Sequence, residues 1–176
     1  MTYLIGAGWI VSGDMDIKDW FYLDEDYNLR YKKTLKNHGS LERNSGDLVC
    51  WSDAHGYKRV ALNGDMYLIH RLIWELFTGE PPKGVVDHID GNTSNNHPKN
   101  LRDCSHLGNN RNQKIKTNNT SGSKNVYWNT NRKRWAVQLR TDYGRLWFGL
   151  HEDLEFAELV ATEARDKYHG QFARDL

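Results

Sequence analysis

The chain has 176 residues, a net charge of +1, a 38% apolar fraction and a 12% aromatic fraction with seven Trp and nine Tyr, a balance that suits a folded globular protein and excludes a disordered one. Two cysteines, Cys50 and Cys104, are too few for a disulfide scaffold or a four-thiolate zinc site, so no structural zinc is expected. The apolar start, residues 3–11, lacks a basic leader, and no run approaches the roughly eighteen apolar residues of a membrane helix; a cytoplasmic protein with no membrane partner is expected.

The near-zero charge averages two opposed regions. Residues 1–28 hold six acidic side chains (Asp14, Asp16, Asp19, Asp24, Glu25, Asp26) against Lys18 alone. Residues 111–151 hold nine cations, among them Arg111, Lys114, Lys116 and Lys124, against the single acid Asp142. The basic stretch is interleaved with Tyr127, Trp128, Trp135 and Trp147, the combination a polyanion such as nucleic acid requires; a solvated cationic face is the alternative.

Taken in chain order, residues 1–45 carry no assignable chemical role. Residues 48–51, 57–62 and 66–69 are short β-prone runs, and Asn63-Gly64 is the favoured two-residue hairpin signal. A small antiparallel sheet is therefore expected before residue 70. Ile69, Leu72, Ile73, Leu76 and Phe77 recur at helical spacing until Gly79, Pro81 and Pro82 stop the helix. Val85-Val86 reads as a brief strand, residues 90–100 as a polar loop and 101–104 as a return strand; Ser105 then caps a helix to about Gln113. Residues 117–123 lack apolar side chains and read as a linker. Beyond them, 125–129, 134–141 and 145–150 read as strands. Asp153 caps a last helix whose apolar face is Leu154, Phe156, Ala157, Val160, Ala161, Ala164 and Tyr168, with Gly170 as its stop. The fold class expected is α+β: a small sheet and helix leading into strand, loop, strand and helix, then a three-stranded sheet with one helix.

The stretch VVDHIDGNTSNNHPKNLRDCSHLGNN, running from Val85 to Asn110, resembles the HNH endonucleases of the phage and intron-homing type over its whole length. The resemblance implies a ββα-metal finger, and with it a DNA endonuclease from a phage or mobile element acting in the host cytosol. The residue types suit that chemistry. Phosphodiester hydrolysis needs an activated water, a cation at the phosphate and stabilisation of the departing 3′ oxygen. His88 can accept the water's proton near neutral pH. Asp87 and Asn109 present oxygens, which suit one Mg²⁺ or Mn²⁺ ion better than zinc. Alternation along a strand sends Asp87 and His88 to opposite faces, so each can serve a different partner. The resemblance further implies that Asn100 ties the loop to the strand bearing the base; an ordinary Asx-turn is its other reading. Many members carry His where this chain has Asn109, with His106, Asn110 and Asn112 nearby. Asp90, Asn96 and His97 are read as structural, His70 and Arg71 as packing or phosphate contacts, and His38, His55, His151 and His169 as surface or packing histidines.

From Ser121 onward the chain resembles an Apetala-type (AP2-like) DNA-binding domain, carried by SG…NVYW, RW…LR, RLWFG and the helix ending in YHG. The resemblance implies a sheet face in the major groove of double-stranded DNA. Alternation puts Arg134, Gln138 and Arg140 on one face, with Arg145 and Trp147 in the same sense, and Trp135, Val137 and Leu139 on the other. Trp128 is left open between core and contact. Lys124, Arg132 and Lys133 suit phosphate contacts. The organisation expected is residues 1–45 of unassigned role, a nuclease domain at 46–116, a linker at 117–123 and a DNA-binding domain at 124–176. A non-catalytic DNA-binding protein with a degenerate finger, or an RNA-directed module, is the alternative; a double-strand break requires a homodimer or sequential action.

Overall fold

The computed structural model describes residues 4–5, 8–9, 16–35, 42–52, 56–62 and 65–173. Asn63-Gly64, His38 and His55 lie outside these residues. By its internal contacts the chain divides into two units, Met1–Cys104 and Ser105–Leu176.

In the first unit, β1 (Leu4–Ile5) pairs with β2 (Gly8–Trp9). A single 3-10 turn, Ile17–Asp19, is capped by the Asp16 carboxylate. It leads into the antiparallel pair β3 (Phe21–Leu23) and β4 (Leu29–Tyr31). The connection is drawn tight by Asp24, whose carboxylate accepts from the backbone N–H of Asp26 and Asn28, an Asx-type turn. Three strands follow, β5 (Trp51–Ser52), β6 (Lys58–Leu62) and β7 (Asp65–Leu68), paired antiparallel in that order with Leu62 opposite Asp65. The expected strand over 48–51 is shorter: Leu48 makes only an isolated bridge to Arg30.

The chain passes from β7 directly into α1 (Ile69–Thr78), with no side chain capping its start. Its end is set by Gly79 at φ 84°, which donates to the Glu75 carbonyl, a left-handed position that suits glycine. Ile69, Leu72 and Ile73 are buried against Phe21, Leu29, Tyr31, Val49, Val60, Leu62, Val86 and Leu101, each such burial contributing roughly 1.5–3 kcal/mol. Phe77, expected on the same face, is 50% exposed and lies edge-on to Tyr27. The outermost turn of α1 has run past the core by then. Residues 1–45, without a role in the sequence, thus supply three of the largest core side chains.

The unit ends in β8 (Val85–His88) and β9 (Leu101–Cys104), an antiparallel pair with Asp87 opposite Arg102 and His88 opposite Leu101. Gly84 stands where a Cβ would come within 2.4 Å of the Cys104 carbonyl oxygen, so only glycine lets the two chains meet there. Between the strands runs the 89–100 loop, closed by a 3-10 turn, Pro98–Asn100, at its far end.

The second unit opens with α2 (His106–Asn112), whose N-cap Ser105 accepts from the Gly108 N–H. The polar segment 117–123, expected as a linker, is a hydrogen-bonded turn belonging to this unit. Ser121 is buried, its hydroxyl bonded to the carbonyls of Ser123 and Val126, and Asn119 receives the Gly122 N–H. Serine and asparagine that read as flexible in sequence are satisfied here by one another and by the backbone. Then β10 (Val126–Asn129), β11 (Arg134–Thr141) and β12 (Gly144–His151) form an antiparallel sheet in that order, with a bulge at Val137/Gln138. The helix α3 (Leu154–His169), capped by Asp153, covers one face. Ala157 and Ala161, one turn apart and fully buried, pack with Val126 and Val137; their small side chains let the helix come close. Phe156, expected on this apolar face, is 55% exposed, with its ring edge against His151. Its position one residue before Ala157 carries it off the stripe.

Candidate active site

Asp87 and His88 end β8 and are both buried, at 6% and 4% exposure. Alternation separates their surroundings. The Asp87 carboxylate faces across the ladder to Arg102, whose Nε and Nη2 both donate to Oδ2 at 2.9 and 2.8 Å. That places a guanidinium on a buried carboxylate and neutralises a charge whose burial alone would be costly. His88 turns the other way. Its Nε2 lies 2.8 Å from Asn96 Oδ1, and its ring sits 5.0 Å from that of His70 and 6.2 Å from that of Tyr57. An amide oxygen only accepts, so the contact puts the imidazole proton on Nε2 and the lone pair on Nδ1.

The loop owes its shape to Asn100. Its Nδ2 donates to Asp90 Oδ1 and to the Asn95 carbonyl, its Oδ1 accepts from the Asp90 N–H, and its carbonyl accepts from the Ile89 N–H. Three of these bonds tie the end of the loop to Ile89 and Asp90 at its start, and the fourth ties it to Asn95 in its middle. Asp90 also receives Asn92 N–H and Asn95 Nδ2. Burial raises its pKa, but the hydrogen bonds from Asn92, Asn95 and Asn100 outweigh that and hold the carboxyl below its usual range. His97 accepts from the Lys99 N–H through Nδ1 and lies 5.0 Å from the ring of Tyr27, which props the loop from outside.

His70, at the start of α1, is the most perturbed of these groups. Burial, then the neighbouring His88 and Arg71, lowers its pKa from 6.5 to about 3, so it stays neutral beside His88. Arg71 donates to the Gly84 carbonyl and so links α1 to the strand carrying Asp87.

The site residues read from the sequence are distributed as follows. Asp87, His88 and Asn100 lie together in the first unit, and Asn109 stands half-buried on α2 in the second. Arg102 and Tyr57 were not singled out, and Asn96 was read only as structural. For Arg102 a signal existed: once 85–88 and 101–104 are strands of one hairpin, antiparallel pairing sets it opposite Asp87. Among the described residues no group of three or more His, Cys, Asp or Glu could hold a metal ion.

In the second unit, Arg134, Gln138 and Arg140 share the sheet face turned away from α3. Trp147 pairs with Gln138, and Arg145 with Arg140. Trp147 is 52% exposed. Arg134 donates to the more exposed Glu152 at 2.6 Å. Trp135 and Val137 pack with α3, Leu139 follows them by alternation and is fully buried, and Trp128 sits at the edge, edge-on to Trp135 and 42% exposed. Arg132 and Lys133 are exposed in the hairpin turn, whereas Lys124 is half-buried with Nζ 3.5 Å from the Arg111 carbonyl.

Residues 67–111 match the profile of the HNH endonuclease family. Protein 3.8 of Escherichia phage T7 is 36% identical over 106 residues, covering 60% of this chain and 87% of that protein. An SPbeta prophage-derived protein of Bacillus subtilis, named as a candidate HNH homing endonuclease, is 43% identical over 53 residues, 27% of this chain and 31% of that protein. No solved structure matches significantly. The chain therefore belongs to the same family as phage T7 protein 3.8, and its residues 67–111 form an HNH endonuclease domain.

Proposed function

We propose that the protein is a metal-dependent DNA endonuclease of the homing type that hydrolyses phosphodiester bonds with His88 as general base. The observation that carries this is the placement of His88 beside Asp87 at the end of β8, with its Nε2 on Asn96 and its loop closed by Asn100, inside the HNH match. HNH nucleases generally use a divalent cation. The donor chemistry fits a hard one: the carboxylate of Asp87 would ligate Mg²⁺ or Mn²⁺. The chemistry it would supply is positive charge at the scissile phosphate and at the departing 3′ oxygen.

The chain's own residues do the rest. His88 Nδ1 takes the proton of the attacking water, while Nε2–H remains on Asn96 and keeps the ring from turning. Asn100 acts as a positioning residue through the loop. Arg102 neutralises Asp87 and orients its carboxylate. The outer sheet face of the second unit reads double-stranded DNA in the Apetala manner. Arg140 and Arg145 stand directly opposite one another there, a like-charge pair that weakens a sheet unless an anion meets it. Arg132 and Lys133 contact phosphates, and Gln138 and Trp147 meet base edges.

Incubation with supercoiled plasmid and Mg²⁺ tests the reading. Nicking or cutting is expected, abolished by chelation, and reduced roughly 10²–10⁴-fold in His88→Ala. DNA binding without cleavage under any divalent metal would leave a non-catalytic binder, and cleavage by Asp87→Ala at the wild-type rate would remove that residue from the site.

A further inference from the structure

The second unit contains a cavity of about 630 Å³ that the roles above touch only at Lys124 and Arg140. Six cations line it: Arg111 on α2, Lys114 and Lys116 just beyond, Lys124, Arg140 on β11 and Arg165 on α3. No carboxylate is among its lining residues. Two groups at the wall are hydrogen-bond orphans as well. Arg111, with its side chain 8% exposed, has an Nε without a partner, although its terminal nitrogens meet Asp142. His169, 8% exposed, gives Nε2 to the Arg140 carbonyl and leaves Nδ1 without one. Burial, with Arg111 and Arg165 adding to it, lowers the His169 pKa. Buried polar groups without partners are uncommon in folded chains and call for an explanation.

We propose that this cavity binds the sugar-phosphate backbone of duplex DNA, a phosphate anchor that adjoins the sheet face at Arg140. The proposal rests on the DNA-directed reading above and adds a second contact region to it. The volume lies within the range of about 300–1,000 Å³ found for small-ligand pockets, enough for a nucleotide-sized group. Six cations around a lining without carboxylates match phosphate oxygens, which accept only, although Arg111 already meets Asp142 from outside the lining. Amide-bearing Asn110, Asn118 and Asn125 also line it. Such contacts set affinity and salt dependence, not sequence preference.

The experiment is fluorescence anisotropy of the full chain with two 20-bp duplexes of unrelated sequence, in EDTA, across ~50–200 mM salt. Lys114 and Lys116 are exposed, so Lys114→Ala/Lys116→Ala should leave folding unchanged, as circular dichroism will verify. Each lost phosphate contact should lower the slope of log affinity against log salt by about 0.9, with affinity falling roughly tenfold per lysine at 0.1 M salt. The loss should be equal for both duplexes. An unchanged slope overturns the proposal, and so does a loss confined to one sequence, which would make these lysines base readers. Tighter binding of an RNA hairpin, weakened by the same variant, overturns the assignment to DNA. If the slope falls as expected but the wild-type chain cuts no DNA, the anchor stands and the nuclease reading fails.

Discussion

His70 makes acid a specific solvent of the first unit. Its ring is 4% exposed, lies against His88, and has a pKa lowered from 6.5 to about 3, chiefly by burial. The folded ring therefore holds its proton less tightly than the unfolded one. Its stabilising contribution is complete above pH 6.5 and is lost progressively as the pH falls toward 3. At pH 5 the unfolded imidazole is about 97% protonated and the folded one about 1%, which corresponds to about 2 kcal/mol of lost stability relative to pH 8. Substituting a side chain that does not titrate isolates this contribution. His70→Asn should be less stable than wild type at pH 8, because packing is disturbed, yet its stability should decline less between pH 8 and 5, by about 2 kcal/mol. Urea unfolding followed through NMR cross-peaks of Val60 and Ile73 reads the first unit directly. Equal declines in the two proteins would refute the reasoning and mean that the buried ring finds a proton acceptor.

Three further outcomes are expected. Asn96→Ala should lower kcat roughly 10–100-fold with KM unchanged, as for other lost orienting partners of functional histidines. Asn96→Asp, which keeps an acceptor oxygen, should restore much of the rate, and ¹⁵N spectra at pH 8 should show the Nε2–H tautomer of His88 in wild type but a mixture in Asn96→Ala; unchanged spectra count against the role. Arg102→Met strands the buried Asp87 carboxylate and should cost about 3–5 kcal/mol, most of it recovered in Asp87→Asn/Arg102→Met; urea unfolding that shows no recovery dissociates the pair. Leu139→Ala, at a fully buried position facing α3, should destabilise the second unit by about 2–5 kcal/mol, while NMR-monitored unfolding of the first unit should not move.

Much of this was legible from residue pattern alone. The helix from Ile69, the strand-loop-strand-helix order after Val85, and the caps Ser105 and Asp153 all follow from local rules that the structure obeys. The contribution of residues 17–31 was hidden because β3 and β4 are three residues each, too short to show a period of two. Their acidic neighbours Asp24, Glu25 and Asp26 also lower the hydrophobic signal, although Phe21, Leu29 and Tyr31 are buried. Phe77 and Phe156 look like core residues by type, but the first stands on the last turn of α1, beyond the core, and the second lies off the buried stripe of α3, so both are half-exposed. Within the site, Asp87 and His88 were visible as adjacent chemistry-bearing residues. The role of Asn96 was not, because an asparagine in a loop rich in asparagine carries no mark of which one will reach the imidazole.

The bonds of Asn100 to both ends of its loop have a consequence for how the site withstands thermal motion. They make residues 89–100 a closed ring, a non-covalent counterpart of a cross-link. Closing a flexible ring of this size costs roughly 2 kcal/mol in chain entropy, offset here by four hydrogen bonds that all pass through one residue. Losing the Asn100 amide would remove three of these bonds at once and release Asn96 along with the rest of the ring. An alteration that never touches the substrate would then blur the angle of the imidazole, and the rate would fall through disorder while the reacting groups remained chemically intact.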